Sequence, residues 1–162
     1  MHLEQRRGGW VIASSFAVSL MFAVMPLPSW AVPWRPDWVT MVLIYWCIAL
    51  PKRVGIATGW LVGIVFDALT DTLLGLHAFS LCILAYISIE QHRRIRVFPW
   101  WQQSVIVGVF VALGQLPAVW IHGTLGYVTI GWFFLYPAVS SMILWRWVFV
   151  ILRDMRRIYN VS

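Results

Sequence analysis

A row of small and acidic residues is the feature of the sequence that most invites a chemical role. Glycine or aspartate occupies every fourth position of one segment: Gly55, Gly59, Gly63, Asp67, Asp71 and Gly75. On an α-helix, residues four apart form one ridge that turns by about 40° per step. Its glycines let a second helix approach closely, and its carboxylates can hold a proton or a cation, anchor a partner, or pair within the chain. We therefore expect this ridge to fix either a partner contact or the fold itself.

The residue patterns of common enzymes and metal sites do not occur in the sequence. The four histidines fall in separate segments, and no two share a helix face at ligand spacing. Metalloprotease, nucleophile-elbow and phosphate-loop motifs are missing as well. Cys47 and Cys82 lie in apolar stretches and are expected to be buried thiols. The sequence predicts a protein without catalytic residues, metal or cofactor.

The composition indicates an integral membrane protein. Of the 162 residues, 61% are hydrophobic, 11% are charged and 16% are aromatic, and the mean hydropathy is +0.79. Soluble domains are about 45–50% apolar and about 25% charged. The net charge of +6 comes from short basic clusters between apolar runs, not from the continuous basic face that nucleic acid requires. Nucleic acid is therefore excluded as a partner, and membrane lipid is expected.

Six apolar stretches predict one six-helix transmembrane domain over residues 1–162. A spanning helix needs about 20 apolar residues, fewer where the bilayer thins. The predicted spans are residues 10–27, 36–50, 54–74, 76–90, 100–121 and 127–152, the last interrupted by Pro137. The third and fourth are joined only at Gly75, so a re-entrant pair is an alternative. A signal peptide cleaved near Ala31 is another, but we expect the first helix to be retained, because its apolar run is long and prolines crowd the cleavage site.

The basic residues agree with six spans. Ten of the twelve fall on one side of such an arrangement: Arg6, Arg7, Lys52, Arg53, Arg93, Arg94, Arg96, Arg153, Arg156 and Arg157. Cytoplasmic loops are enriched in Lys and Arg, so both termini are predicted to be cytoplasmic. Arg35 falls on the other side, and Arg146 lies within the sixth span, within snorkelling reach of the interface.

The chain resembles the MreD family of bacterial rod shape-determining proteins. The resemblance is most specific between Arg35 and Gly75, and it rests on Arg35-Pro36-Asp37-Trp38, Tyr45-Trp46, Ala49-Leu50-Pro51, Arg53-Val54, Gly59, Gly63, Asp67 and Leu74-Gly75. Beyond that run, the chain is similar in length, in hydropathy and in its basic C-terminal tail.

The resemblance implies a multi-pass protein of the bacterial inner membrane. The fold implied is similar to the six-helix substrate-binding components of energy-coupling-factor transporters. Such proteins act with the bitopic protein MreC and the actin-like MreB, alongside the peptidoglycan polymerase and transpeptidase of elongation. No catalytic residue is carried over from the family. Arg35, Asp37 and the ridge from Gly59 to Gly75 are carried over as structural or partner-binding positions.

These features favour a non-enzymatic scaffold of the cell-wall elongation complex that binds an MreC-like partner. The alternative is a small transporter or substrate-capture component, and a lipid flippase would require more buried cations than Arg146. A transporter needs a closed pocket with convergent polar groups. For a scaffold, we expect the acidic ridge to face an exposed groove instead.

Overall fold

The computed structural model describes residues 8–124, 126 and 132–161, with the side chains of residues 122 and 134 left out. The described residues form seven α-helices and two short 3-10 helices, with no β-strand among them. The α-helices are α1 (Gly9–Val24), α2 (Trp38–Ala49), α3 (Ile56–Leu69), α4 (Leu76–Glu90), α5 (His92–Val97), α6 (Trp100–Thr124) and α7 (Tyr136–Ile158). The predicted all-α class is confirmed for this part of the chain.

Helix α2 is the centre of the bundle. Every residue from Val39 to Ala49 is buried, and the helix packs against α1, α4, α5, α6 and α7. A helix that is apolar on all faces belongs where all of its faces are covered. In α3, only Gly59, Gly63 and Asp67 are buried. Helix α3 therefore lies at the periphery, and α4 connects it to the core.

The basic loops gather at one end of the bundle, which we call the basic end. The N-terminal part of α1 and the C-terminal segment meet there, with the rings of Trp10 and Tyr159 packed edge to face at 4.9 Å. At the same end, Arg96 of α5 donates hydrogen bonds to the carbonyls of Ile48 (2.9 Å) and Ala49 (2.7 Å) in the last turn of α2. A cation at a helix C-terminus satisfies unpaired carbonyls and complements the helix dipole. The sequence did not predict the short helix α5. Through these hydrogen bonds it stabilises the C-terminal end of the central helix α2.

Six of the seven α-helices, all except α5, correspond in order to the six predicted spans, but their boundaries differ. Helix α3 ends at Leu69, five residues before its predicted end, and residues 70–75 form a loop instead of the single glycine joint expected. Pro137 does not interrupt the last helix but lies in its first turn, where a missing backbone N–H leaves no hydrogen bond unmade. The predicted start of that span, residues 127–131, lies outside the described residues, as do Arg6 and Arg7.

Most of the helices are short for membrane spans. Among the described residues, one segment, Trp100–Ile121, is long and apolar enough to cross a bilayer by itself. The apolar helices α1, α3 and α4 have 16, 14 and 15 residues, which corresponds to about 21–24 Å at 1.5 Å per residue. The hydrocarbon core of a bilayer is about 30 Å thick. Six membrane passages therefore stay a prediction.

Candidate functional site

The carboxylate of Asp67 is the hub of a polar cluster where α3 meets α4. Its side chain is fully buried. It accepts hydrogen bonds from the backbone N–H groups of Gly75 (2.8 Å), His77 (3.0 Å) and Ala78 (3.4 Å), from Nδ1 of His77 (2.7 Å), and from the Thr72 hydroxyl (3.0 Å). The three backbone donors are the N-cap residue Gly75 and two residues of the first turn of α4, where N–H groups have no partner within their own helix. Asp67 therefore caps α4 from the neighbouring helix.

His77 completes the cluster. Besides donating from its ring to Asp67, the imidazole packs on the ring of Phe66, with the centroids 4.5 Å apart. Nδ1 of His77 also lies 3.4 Å from the hydroxyl of Thr72, which itself donates to the same carboxylate. These contacts close the turn between α3 and α4. Sequence reasoning missed His77 because the pair becomes visible only once the loop is placed.

The predicted ridge is broken after Asp67. Because α3 ends at Leu69, Asp71 and Gly75 lie in the loop and do not continue the helical row. Asp71 is exposed and has a φ of 51°, whereas Gly75 has a φ of 101°, which only glycine adopts without strain. The expectation of two carboxylates one turn apart on one helix is therefore wrong. Gly75 acts as the turn that brings α4 back onto Asp67.

The remaining part of the ridge is filled by α4. A Cβ atom added at Gly59 would lie 2.9 Å from the carbonyl oxygen of Leu81, and one at Gly63 would lie 2.6 Å from the backbone nitrogen of Ala78. Such distances leave no room for a side chain. The expectation that the ridge faces an exposed groove is wrong, because a helix of the same chain occupies the groove. Gly55, at the start of α3, has more space, with Ile89 as its neighbour at 3.6 Å.

The Arg35–Asp37 turn carries two oppositely charged side chains, and each of them binds the end of a different helix. The guanidinium of Arg35 donates to the carbonyls of Ala23 and Met25 in the last turn of α1, the second at 2.6 Å. The carboxylate of Asp37 accepts from the backbone N–H (3.1 Å) and the hydroxyl (2.6 Å) of Thr40 in the first turn of α2. Each charge has the sign that its helix end favours. Asp37 is thus the N-cap of α2, next to the predicted start of the second span at residue 36.

The same turn is held against α7. The backbone N–H of Asp37 donates to the hydroxyl of Ser141 (3.0 Å), and the ring of Trp34 stacks on Tyr136 with the centroids 4.7 Å apart. Three helices, α1, α2 and α7, therefore meet at these few residues.

A second row of small residues, on α1, is open. Residues at every fourth position from Gly9 line two cavities beside α1 and α3. The small ones are Gly9, Ala13 and Ala17, and they are followed by Met21 and, just past the helix, Met25. The cavity at the basic end has a volume of about 470 Å³ and the other about 830 Å³. Ala13 and Ala17 are exposed, and Met21 is 73% exposed. We call this row the open ridge. Its four-residue spacing is readable in the sequence, but alanine and methionine attract less notice there than glycine and aspartate do.

Metal ligands do not cluster in the described part of the chain: no group of three or more His, Cys, Asp or Glu side chains could hold an ion there. Cys47 is buried, Cys82 is half-buried, and both are free thiols.

Comparison with known proteins identifies the family. The family described as rod shape-determining protein MreD matches residues 4–155. The rod shape-determining protein MreD of Haemophilus influenzae is 30% identical over 148 residues, which is 91% of this chain and 91% of that protein. No solved structure matches the chain significantly. The chain belongs to the MreD family of rod shape-determining proteins, which are membrane proteins with a role in cell shape.

Proposed function

We propose that this chain is a non-enzymatic scaffold subunit of the cell-wall elongation complex that binds an MreC-like bitopic protein along its open ridge. The observation that carries the proposal is the exposed row of small residues on α1, beside the two cavities. Without water to drive association, helices in a bilayer associate through close van der Waals contact, for which small residues every fourth position are suited. A bitopic partner brings one such helix.

The two cavities support a helix as the occupant. The larger one is lined by apolar side chains of α1, such as Val18 and Met21, and by Leu69 of α3. The smaller one reaches the basic end, where Lys52 and Thr58 contribute to its lining. A partner helix along α1 would thus have apolar contacts through most of its length and polar contacts at one end. Contact with MreB and with the peptidoglycan polymerase and transpeptidase is then indirect, through that partner.

Most of the candidate residues predicted from the sequence have a structural role in this proposal and do not bind the partner. Arg35, Asp37, Gly59, Gly63, Asp67 and Gly75 hold helices of the same chain together and present the open ridge without touching the partner. Asp71, exposed in the α3–α4 loop, is the member of the original repeat that a partner segment outside the membrane could reach. The functional residues are accordingly Ala13, Ala17 and Met21.

A small transporter or substrate-capture component has less support. Such a protein needs polar groups that converge on a ligand pocket. The most buried carboxylate, Asp67, instead accepts its hydrogen bonds from the protein itself, and the large cavities beside α1 and between α4 and α6 are lined mainly by apolar side chains.

The proposal places the protein in the inner membrane with six passages, one domain and both termini in the cytoplasm. The gathering of the basic loops at one end of the bundle supports this orientation. A reporter fused after residue 162, or inserted between Arg93 and Arg96, is expected to be cytoplasmic. A periplasmic signal at either position would contradict the topology.

Co-purification tests the partner. The double variant Ala13→Leu/Ala17→Leu fills the open ridge and is expected to lose capture of an MreC-like protein from solubilised membranes, normalised to the amount of variant. Ala68→Leu is the matched control, because Ala68 is an exposed alanine of α3 and lines neither cavity. Capture by the double variant equal to that by the control would refute the open ridge as the binding surface.

A further inference from the structure

A cleft between α6 and α7 near the basic end combines two arginines with an unpaired buried donor. The cleft has a volume of about 250 Å³ and is lined by Trp100 and Gln103 of α6 and by Trp145, Arg146, Phe149, Val150 and Arg153 of α7. We propose that it binds the phosphate-bearing headgroup of an anionic membrane lipid. This site is separate from the open ridge on α1, so it does not depend on the proposed partner.

The two arginines supply the charge. Residues seven apart on a helix lie on one face, so Arg146 and Arg153 both border the cleft, with Phe149 and Val150 between them. No acceptor for Arg146 lies within the described residues, and its guanidinium carbon is 5.0 Å from the centroid of the Trp100 ring. A cation–π contact of this kind does not use up the N–H groups of a guanidinium, which can still donate hydrogen bonds. Those N–H groups are what a phosphate oxygen binds.

Arg153 is only weakly neutralised. Its Nε lies 3.4 Å from a carboxylate oxygen of Asp154, and both side chains are about half exposed (49% and 51%). An exposed ion pair of this kind contributes little. The cleft therefore keeps a net positive charge that a lipid phosphate would balance.

The indole of Trp145 is a buried donor that lacks a partner in the described part of the chain. The residue is 1% exposed, and its indole Nε1 is buried without a hydrogen-bond partner among the described residues. A buried donor left unpaired is costly, and such a group is normally satisfied by protein, water or ligand. Trp145 lines the cleft, so a headgroup bound there would satisfy this donor once the enclosed indole turned toward it.

The position in the bilayer favours a lipid over a soluble anion. Arg146 lies within the last helix, seven residues before Arg153, and its exposed side chain would otherwise face hydrocarbon. A guanidinium at that depth is stabilised by reaching headgroup level. Basic pockets between helices at the cytoplasmic interface bind anionic headgroups, and the apolar side chains of Phe149 and Val150 offer contact to the adjoining acyl chain.

The test uses the full-length protein purified in a neutral detergent. It is titrated separately with phosphatidylglycerol, phosphatidylcholine and inorganic phosphate, while native mass spectrometry counts bound lipid and thermal unfolding follows stability. We expect phosphatidylglycerol to bind and stabilise in preference to phosphatidylcholine. Arg146→Gln/Arg153→Gln should weaken its binding about tenfold or more, because charge-assisted hydrogen bonds are lost. The variant Arg157→Gln, which removes a nearby charge outside the cleft, should leave binding unchanged.

The other outcomes are equally decisive. Equal binding of the two lipids, or wild-type binding by the double glutamine variant, would overturn the proposal. Equal stabilisation by inorganic phosphate and by phosphatidylglycerol would assign the cleft to a soluble phosphate and overturn the lipid. If the glutamine variant does not fold, two other measurements decide the question. They are the phosphatidylglycerol binding of the charge-preserving Arg146→Lys/Arg153→Lys variant and the lipid preference of the wild type.

Discussion

Two rows of small residues on neighbouring helices of this protein differ in what covers them. On α3, Gly59 and Gly63 lie against the backbone of α4, and Asp67 at the end of the row caps that helix. On α1, Ala13 and Ala17 are exposed beside two cavities. A small-residue repeat therefore indicates that a helix approaches closely, but it does not say whether that helix belongs to the same chain. The covered row stabilises the fold, and the open row is the surface that we propose for a partner.

Replacing Asp67 is expected to have the largest effect on the folded state. Asp67→Leu leaves the donors of the first turn of α4 unpaired, and each buried donor without an acceptor costs about 1–3 kcal/mol. Asp67→Asn should be intermediate, because it keeps one acceptor oxygen but turns an amide N–H₂ toward a donor. The measurement is the yield of folded protein and its thermal midpoint in detergent. An Asp67→Leu protein as stable as the wild type would contradict the capping role.

Adding one methyl group to the covered row should be the next most damaging change. Gly63→Ala places a Cβ atom against the backbone of Ala78, and such overpacking costs about 1–3 kcal/mol. Gly123→Ala is the matched control, since a Cβ atom at Gly123 in α6 would meet nothing within 4 Å. That variant should be neutral or slightly more stable, because alanine favours a helix by up to about 1 kcal/mol over glycine. Equal thermal midpoints of the two variants would show that the covered row is not tightly packed.

Substitutions in the Arg35–Asp37 turn, which positions α1, are expected to lower stability by a smaller amount. Arg35→Ala removes a cation from the C-terminus of α1 and Asp37→Ala removes the N-cap of α2, each with a loss of about 1–2 kcal/mol. Thermal unfolding in detergent measures both, and partial recovery by Arg35→Lys would separate the charge from the two-carbonyl geometry. Normal abundance of Asp37→Ala together with complete loss of cell-shape function would show that the turn is a binding site.

Filling the open row should have the smallest effect on stability. Ala17→Leu adds an apolar side chain where α1 is exposed, so the thermal midpoint should match that of Ala68→Leu. A large loss of folded protein would mean that another part of the chain covers Ala17.

The sequence predicted the helical class and the apolar segments that form the helices, because apolar runs and prolines are local signals. It could not predict where α3 ends. The four-residue repeat continues through Asp71, but the chain turns at Gly75 so that the donors of α4 reach Asp67. The partner of a buried carboxylate and the occupant of a small-residue groove depend on tertiary packing. The sequence identifies Arg96 only as one of the basic residues that indicate the cytoplasmic side. Its hydrogen bonds to the C-terminal carbonyls of α2 also depend on tertiary packing.

The contrast between the covered and the open row is tested most directly by photo-crosslinking in living cells. A benzophenone amino acid replaces Met21 on the open ridge (73% exposed) in one strain. In another strain it replaces Ile143 on α7 (68% exposed), which lines neither cavity of the open ridge. If the open ridge binds an MreC-like protein, illumination should crosslink that protein to the probe at position 21 and not to the probe at position 143. A crosslink from position 143 with none from position 21 would place the partner on another face and contradict the account.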